Sequence, residues 1–254
     1  MIGFRQISVK KITMLLVVLL LISVSAGYYF SWRPADESYD NATTKLDAIN
    51  NMVDKTDNLL SGATLPADID INWYTELKGI QITLKQSISD LNNNKAITRD
   101  MSVSSSYTEF RSEMSEYMKD LNGLSTSLGR YLSISQACAK FVNIIDNISD
   151  SATFDTISAT CNDAIDSAGS APDSSFKTQY LTTYAQDSKK LFEAYRLVVD
   201  SENSKASLNA VTQAKLPIID NKDTTLDITI SKDPSGVISN LLSILKSQRS
   251  VMIR

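Results

Sequence analysis

The chain has 254 residues, with 25 basic and 29 acidic side chains, two cysteines and no histidine. The missing histidine removes the commonest general base and the commonest transition-metal ligand. Two cysteines cannot build a four-thiolate zinc site, and an acidic surface repels phosphate backbones, so nucleic acid is not an expected partner. With only 8 glycines and 5 prolines, the chain is too poor in turn residues for a β-rich fold, and an all-α fold is expected.

The first element is the run ITMLLVVLLLISVSAGYYF, Ile12 to Phe30. No charge interrupts it from Ile12 to Trp32, and it just reaches the ~20 apolar residues that a membrane-spanning helix needs. Lys10 and Lys11 precede it, with Arg5 before them and no acid among them. By the positive-inside rule, residues 1–11 are expected in the cytoplasm and the rest outside. Tyr28, Tyr29, Trp32 and Arg33 fall where the far membrane interface would lie, as an aromatic belt and its flanking charge. The expectation is a signal-anchor helix over residues 12–32, holding the chain to the lipid bilayer as a single-pass cell-membrane protein. The triplet Val24-Ser25-Ala26 supports a rival reading, a signal peptide cleaved after Ala26 that releases a secreted protein. Setting aside Arg5, Lys10, Lys11 and Arg33 leaves 21 basic against 29 acidic residues, near −8, for the exported part.

Residues 33–215 are expected to form an antiparallel helical bundle. In the first helix Tyr39, Ala42, Leu46, Ile49, Val53 and Leu60 share one face, and Ser61-Gly62 ends it. A loop over Thr64–Asn72 leads to a second helix from about Trp73 to Leu91, with Trp73, Leu77, Ile80, Leu84, Ile88 and Leu91 as its apolar stripe. The third helix is the longest. From Tyr107 to Ile145 one heptad column reads Tyr107, Met114, Leu121, Leu128, Ser135, Val142, and the other Phe110, Tyr117, Leu124, Tyr131, Cys138, Ile145. A 3.5-residue repeat sustained this long predicts coiled-coil-like packing in a bundle seam, with self-association as the sharper alternative. Gly123 and Gly129 mark a candidate bend.

A turn at Ser149-Asp150-Ser151 leads to a fourth helix, with Phe154, Ile157, Cys161, Ile165 and Ala168 in phase. Asp173 or Ser174 caps a fifth, carrying Phe176, Tyr180, Tyr184, Leu191, Tyr195 and Val198, with an extension to Lys215 past a weak point at Asn203-Ser204. Residues 216–254 are expected as an extended segment and a C-terminal amphipathic helix packed on the bundle. Leu216-Pro217 reads as a helix break. Leu226-Asp-Ile228-Thr-Ile230 alternates like a strand but has no partner strand, so an extended loop fits equally. Asp233-Pro234 starts the last helix, whose apolar face is Val237, Leu241, Ile244, Leu245 and Val251. Lys246, Arg249 and Arg254 cluster toward its end.

No motif for nucleotide, metal or nucleophilic chemistry is present, and neither a cofactor nor a metal is expected. Asp68-Ile-Asp70 lacks the glycine and glutamate of a calcium loop. The aromatic stripe Tyr107, Phe110, Tyr117, Tyr131 reads as core. The expectation is a non-enzymatic interaction, scaffold or surface-attachment protein, acting on a protein partner or by self-association. A ligand-binding sensor bundle working with a signalling partner is the alternative, since few residues would lie inside the cell.

Cys138 and Cys161 are expected to form a disulfide. Both sit on apolar stripes, and their midpoint falls at the predicted turn, where residues of an antiparallel hairpin face each other at equal height. Alkylation of the protein under denaturing, non-reducing conditions should therefore label no thiol. Two labelled thiols on exported material would refute the bridge.

Overall fold

In the computed structural model, residues 34–143, 151–200 and 204–252, together with Ser23, are described. Every regular element among them is helical. In chain order these are α1 (Asp36–Gly62), α2 (Ile71–Asn92), α3 (Lys95–Arg99), α4 (Met101–Asn143), α5 (Ser151–Gly169), α6 (Thr182–Asp200), α7 (Ser204–Asp220) and α8 (Ser235–Met252). Apart from Ser23, the proposed span, with Lys10, Lys11, Tyr28, Tyr29, Trp32 and Arg33, lies outside the described residues. Among the described ones, no helix is long and apolar enough to cross a membrane.

Short polar side chains start most of these helices by accepting the backbone N–H groups that a first turn leaves unpaired. Asp70 accepts from Trp73 N at 2.8 Å, Asn94 from Ala96 N at 2.8 Å and Asp100 from Ser102 N at 2.9 Å. Ser174 accepts from Lys177 N at 3.1 Å, and Asp233 from Ser235 N at 2.9 Å. The carboxylates of Asp68-Ile-Asp70 thus serve the backbone, since Asp68 accepts from Leu65 N at 2.8 Å.

The 43-residue α4 is the spine. Its N-terminal half lies against α2 and α8, which both also pack on α1. Lys45–Asp90 at 2.7 Å and Lys55–Glu76 at 2.8 Å register α1 antiparallel to α2. Arg249 reaches Asp36 at 2.8 Å and also pairs with Asp40, which ties the end of α8 to the start of α1. The C-terminal half of α4 lies against α5 and α6. Cys138 and Cys161 form a disulfide there, with Cα atoms 5.0 Å apart. Ser127 Oγ donates to Pro172 O at 3.3 Å, so α4 and α5 run antiparallel. The predicted turn at Ser149-Asp150 and the seam residue Ile145 lie outside the described residues, as do the side chains of Val142, Phe154, Ile157 and Val198.

Tyr107, Phe110, Met114, Tyr117, Leu121, Leu124, Leu128, Tyr131 and Cys138 are all buried, so the heptad seam is the core. The α1 stripe is buried throughout. Gly123 and Gly129 lie inside one unbroken helix and serve close approach. A Cβ on Gly123 would sit 3.1 Å from the carbonyl oxygen of Asp173, where the chain crosses α4.

Elsewhere the expected boundaries move. The helix expected from Phe176 to Lys215 is two helices folded as a hairpin. Lys215 lies over the Tyr195 ring at 5.7 Å, and Asn221 donates to Asp187 at 3.0 Å. Pro217 does not end α7, which runs to Asp220. A proline here forgoes one hydrogen bond, to the Gln213 carbonyl, and burial of Ile218 together with the Asn221–Asp187 bond holds the last turn in place. Residues Lys177–Leu181 form a π-helical turn. That widened turn puts Phe176 and Leu181, five residues apart, in the same core.

The segment around Leu226, Ile228 and Ile230 is extended without strand pairing, and Leu226 N donates to Thr64 O at 2.7 Å. On α8, Leu241 and Leu245 are buried as expected and Val237 and Ile244 pack partly buried on the core, while Ile238 is buried as well and Val251 is exposed.

Tyr131 centres an aromatic cluster. Its ring meets those of Tyr184, Tyr180 and Phe176 edge-on, with centroids at 5.0, 5.4 and 5.7 Å. Such pairs add to the area they bury. Burial pushes the hydroxyls of Tyr117, Tyr131 and Tyr195 up to about 12, and that of Tyr180 further. The folded state therefore keeps protons that the unfolded chain releases near pH 10. This contribution to stability is complete below pH 10 and is lost as pH rises through about 12. On titration with base these four buried tyrosines should ionise only together with the loss of helical circular dichroism. Full tyrosinate absorbance from all ten tyrosines near pH 10 with the helices intact would contradict this burial.

Candidate binding groove

Helices α2 and α4 leave an open groove of about 900 Å³ on their outer side. Its position follows from the two stripes. On α2, Leu77, Ile80, Leu84 and Leu91 point into the core. The face beside them carries Lys78, Ile82, Lys85 and Ile88, at the three- and four-residue steps that make neighbours on a helix. On α4, Arg111, Ser115, Met118 and Asn122 form the flank next to the heptad seam.

The floor is apolar: Ile82, Ile88, Met114 and Met118. Ile82 is 68 % exposed, so much of this floor faces solvent. Four cations rim this floor, Lys78 and Lys85 from α2 and Arg111 and Lys119 from α4, and no carboxylate lines it. At one end Gln81 Nε2 donates to Asn122 Oδ1 at 3.2 Å and ties the two helices together. Lys78 Nζ lies 5.8 Å from the Tyr74 ring centre and donates to Gln81 Oε1 at 3.3 Å.

Several cations elsewhere on the described surface carry ion pairs. Lys45, Lys55, Lys177, Lys190, Lys232 and Arg249 each meet a carboxylate within 4.0 Å. The rim cations are not paired in this way. The residues three and four positions from Lys78, Lys85 and Arg111 are all uncharged. Lys119 has Glu116 three residues before it, but Glu116 is engaged by Lys232 at 2.8 Å.

Among the other candidate features, no group of three or more metal-ligating side chains occurs in the described residues. The aromatic stripe Tyr107, Phe110, Tyr117, Tyr131 is buried in the core. Of the basic residues toward the end of α8, Arg249 is held by Asp36 and Asp40.

Sequence reasoning missed the groove because each cation, taken singly, reads as an ordinary solvated residue. A usable signal was present in Lys78 and Lys85, seven residues apart with apolar Ile82 and Ile88 between and after them and no acid in helical reach.

Comparisons with protein-family models, curated proteins and solved structures return no match for this chain.

Clustered like charges oppose folding slightly. Lys85→Glu and Arg111→Glu should each leave the urea midpoint unchanged or raise it, with stability shifting by no more than about 0.5 kcal/mol in the unfavourable direction. A loss of 2 kcal/mol or more, on the order of a core defect, would mean that these side chains support the fold.

Proposed function

We propose that this chain is a membrane-anchored, extracytoplasmic, non-enzymatic interaction domain. Residues 12–32 anchor it, residues 1–11 stay inside, and the helical bundle presents the α2/α4 groove to a protein partner. The observation that carries the binding role is the groove: an exposed apolar floor bordered by four cations and free of acid, in a chain of net charge −4. Exposed apolar surface rimmed by polar groups is typical of interaction sites. The openness at Ile82 favours contact with a partner's surface over enclosure of a small ligand.

Two observations support the location. One is the charge-free run between Lys10-Lys11 and the aromatic cluster ending at Trp32. The other is the Cys138–Cys161 disulfide, which suits an oxidising compartment.

A reporter enzyme that folds only outside the cytosol, fused after Arg254, should be active, and protease reaching the outer face of the membrane should remove the bundle. Activity only of a cytosolic reporter would overturn the orientation. A mature chain starting at Gly27 would replace the anchor with a cleaved signal and leave the groove argument intact.

A further inference from the structure

We propose that the occupant of the α2/α4 groove is an acidic amphipathic helix of a partner protein. This deepens the binding reading above and rests on it. The argument starts from shape. Two adjacent helices with a furrow between them offer a third helix the same packing that holds bundles together. The rim cations are spaced for such a guest. Lys78 and Lys85 are seven residues apart, and Arg111 and Lys119 eight, so each rim extends about 10–12 Å at 1.5 Å per residue. That length matches two turns of a helix, enough for apolar anchors at i, i+3, i+4 and i+7.

The floor suits an apolar stripe. Met114 and Met118 provide adaptable, polarisable surface, and Ile82 and Ile88 provide branched surface. The two cationic rims then demand carboxylates on both flanks of the guest stripe, the arrangement by which charges beside an apolar seam select partners in coiled coils.

Charge also excludes the nearest competitor within the molecule. Of the acids near the rims on these helices, Asp90 is engaged by Lys45, Glu76 by Lys55, Glu113 and Glu116 by Lys232, and Asp120 by Ser231. A bilayer surface is the other class of anionic partner, and the position of the groove argues against it. Lys85 lies five residues from Asp90, which pairs with Lys45, nine residues along α1 from Asp36. Lys78 lies further still, near the level of the Lys55–Glu76 pair. The groove is thus set well along α1 from the end that the proposed anchor would hold.

The test uses the full chain in its own cells, with Ile82 replaced by the photo-crosslinking residue p-benzoylphenylalanine. Ile82 is largely exposed, so the replacement does not disturb the core. Illumination should yield an adduct with a polypeptide segment that carries apolar residues at helical spacing and an excess of Asp and Glu beside them. In the Lys85→Glu/Arg111→Glu background the adduct should fall by about tenfold or more, since like charges would then face each other. Helical circular dichroism and the oxidised cysteines of that variant should match the parent. Four results would overturn the proposal: an adduct only with lipid or nucleic acid, an adduct with a segment that has no acid excess, a yield unchanged by the double substitution, or no adduct. The reporter fusion after Arg254 is read separately. An inverted reporter with an acidic-helix adduct would fell the location and leave the occupant standing.

Discussion

The burial of one continuous seam on α4 is the constraint on which the rest of the structure depends. Phe110, Met114, Tyr117 and Leu121 fill the core shared with α1, α2 and α8, while Leu128, Tyr131 and Cys138 fill the core shared with α5 and α6. A helix of 43 residues is about 64 Å long at 1.5 Å per residue, more than one set of short neighbours can cover. The chain meets this by packing different helices on its two ends. The changeover lies near Gly123, where a Cβ would stand 3.1 Å from the Asp173 carbonyl oxygen and the lack of one eases the close crossing of Pro172-Asp173. Tyr131 then joins the two sets: its hydroxyl donates to Pro66 O at 3.2 Å, in the α1–α2 connection, while its ring packs on Tyr180 and Tyr184.

The devices that hold the periphery differ between the two halves. Around the N-terminal half, ion pairs fix register: Lys45–Asp90, Lys55–Glu76 and Arg249–Asp36. Each is at least partly exposed and contributes little stability alone, about 0–1 kcal/mol, so their value is in specifying which helices pair and at what height. Around the C-terminal half, the Cys138–Cys161 disulfide fixes height directly. Closing a loop of this length restricts the unfolded chain by about 3 kcal/mol in the chain-entropy model. Covalent and aromatic contacts there do the work that ion pairs do elsewhere.

Where local periodicity decided structure, the sequence was legible. The α1 stripe, the α4 heptad and the Asp233 cap depend on residues within a few turns of one another, and their positions stand. Where tertiary contacts decided it, reading failed. Pro217 is a poor helix residue by any local measure, yet α7 passes through it because Ile218 and Asn221 are held from outside the helix. The run from Phe176 to Lys215 has apolar spacing that continues through the break between α6 and α7, so periodicity alone joined two helices that pack on each other. The alternation at Leu226, Ile228 and Ile230 is real, but its buried side meets helices, and the backbone finds Thr64 O in place of a neighbouring strand. The π turn at Lys177–Leu181 left no local mark, because its only effect is to bring Leu181 into the core beside Phe176.

The groove was illegible for a related reason: it is a relation between two helices 26 or more residues apart in sequence, Lys85 on one and Arg111 on the other. Only the fold brings these rims together. Its physical signature is a concentration of cations around an apolar floor with no carboxylate in the lining. A chain with more acids than bases could neutralise every cation, and it does so at the helix pairings that set the architecture. Along the α2/α4 furrow it instead sets four cations around exposed Ile82 and partly exposed Met118, with uncharged residues three and four positions from Lys78, Lys85 and Arg111 and with the one acid in helical reach of Lys119, Glu116, engaged by Lys232. Both features work against the isolated fold, the first through repulsion and the second through wetted apolar surface. A partner with an apolar stripe flanked by carboxylates relieves both at once, because the contact that covers Ile82 is the same contact that brings acids to the rims.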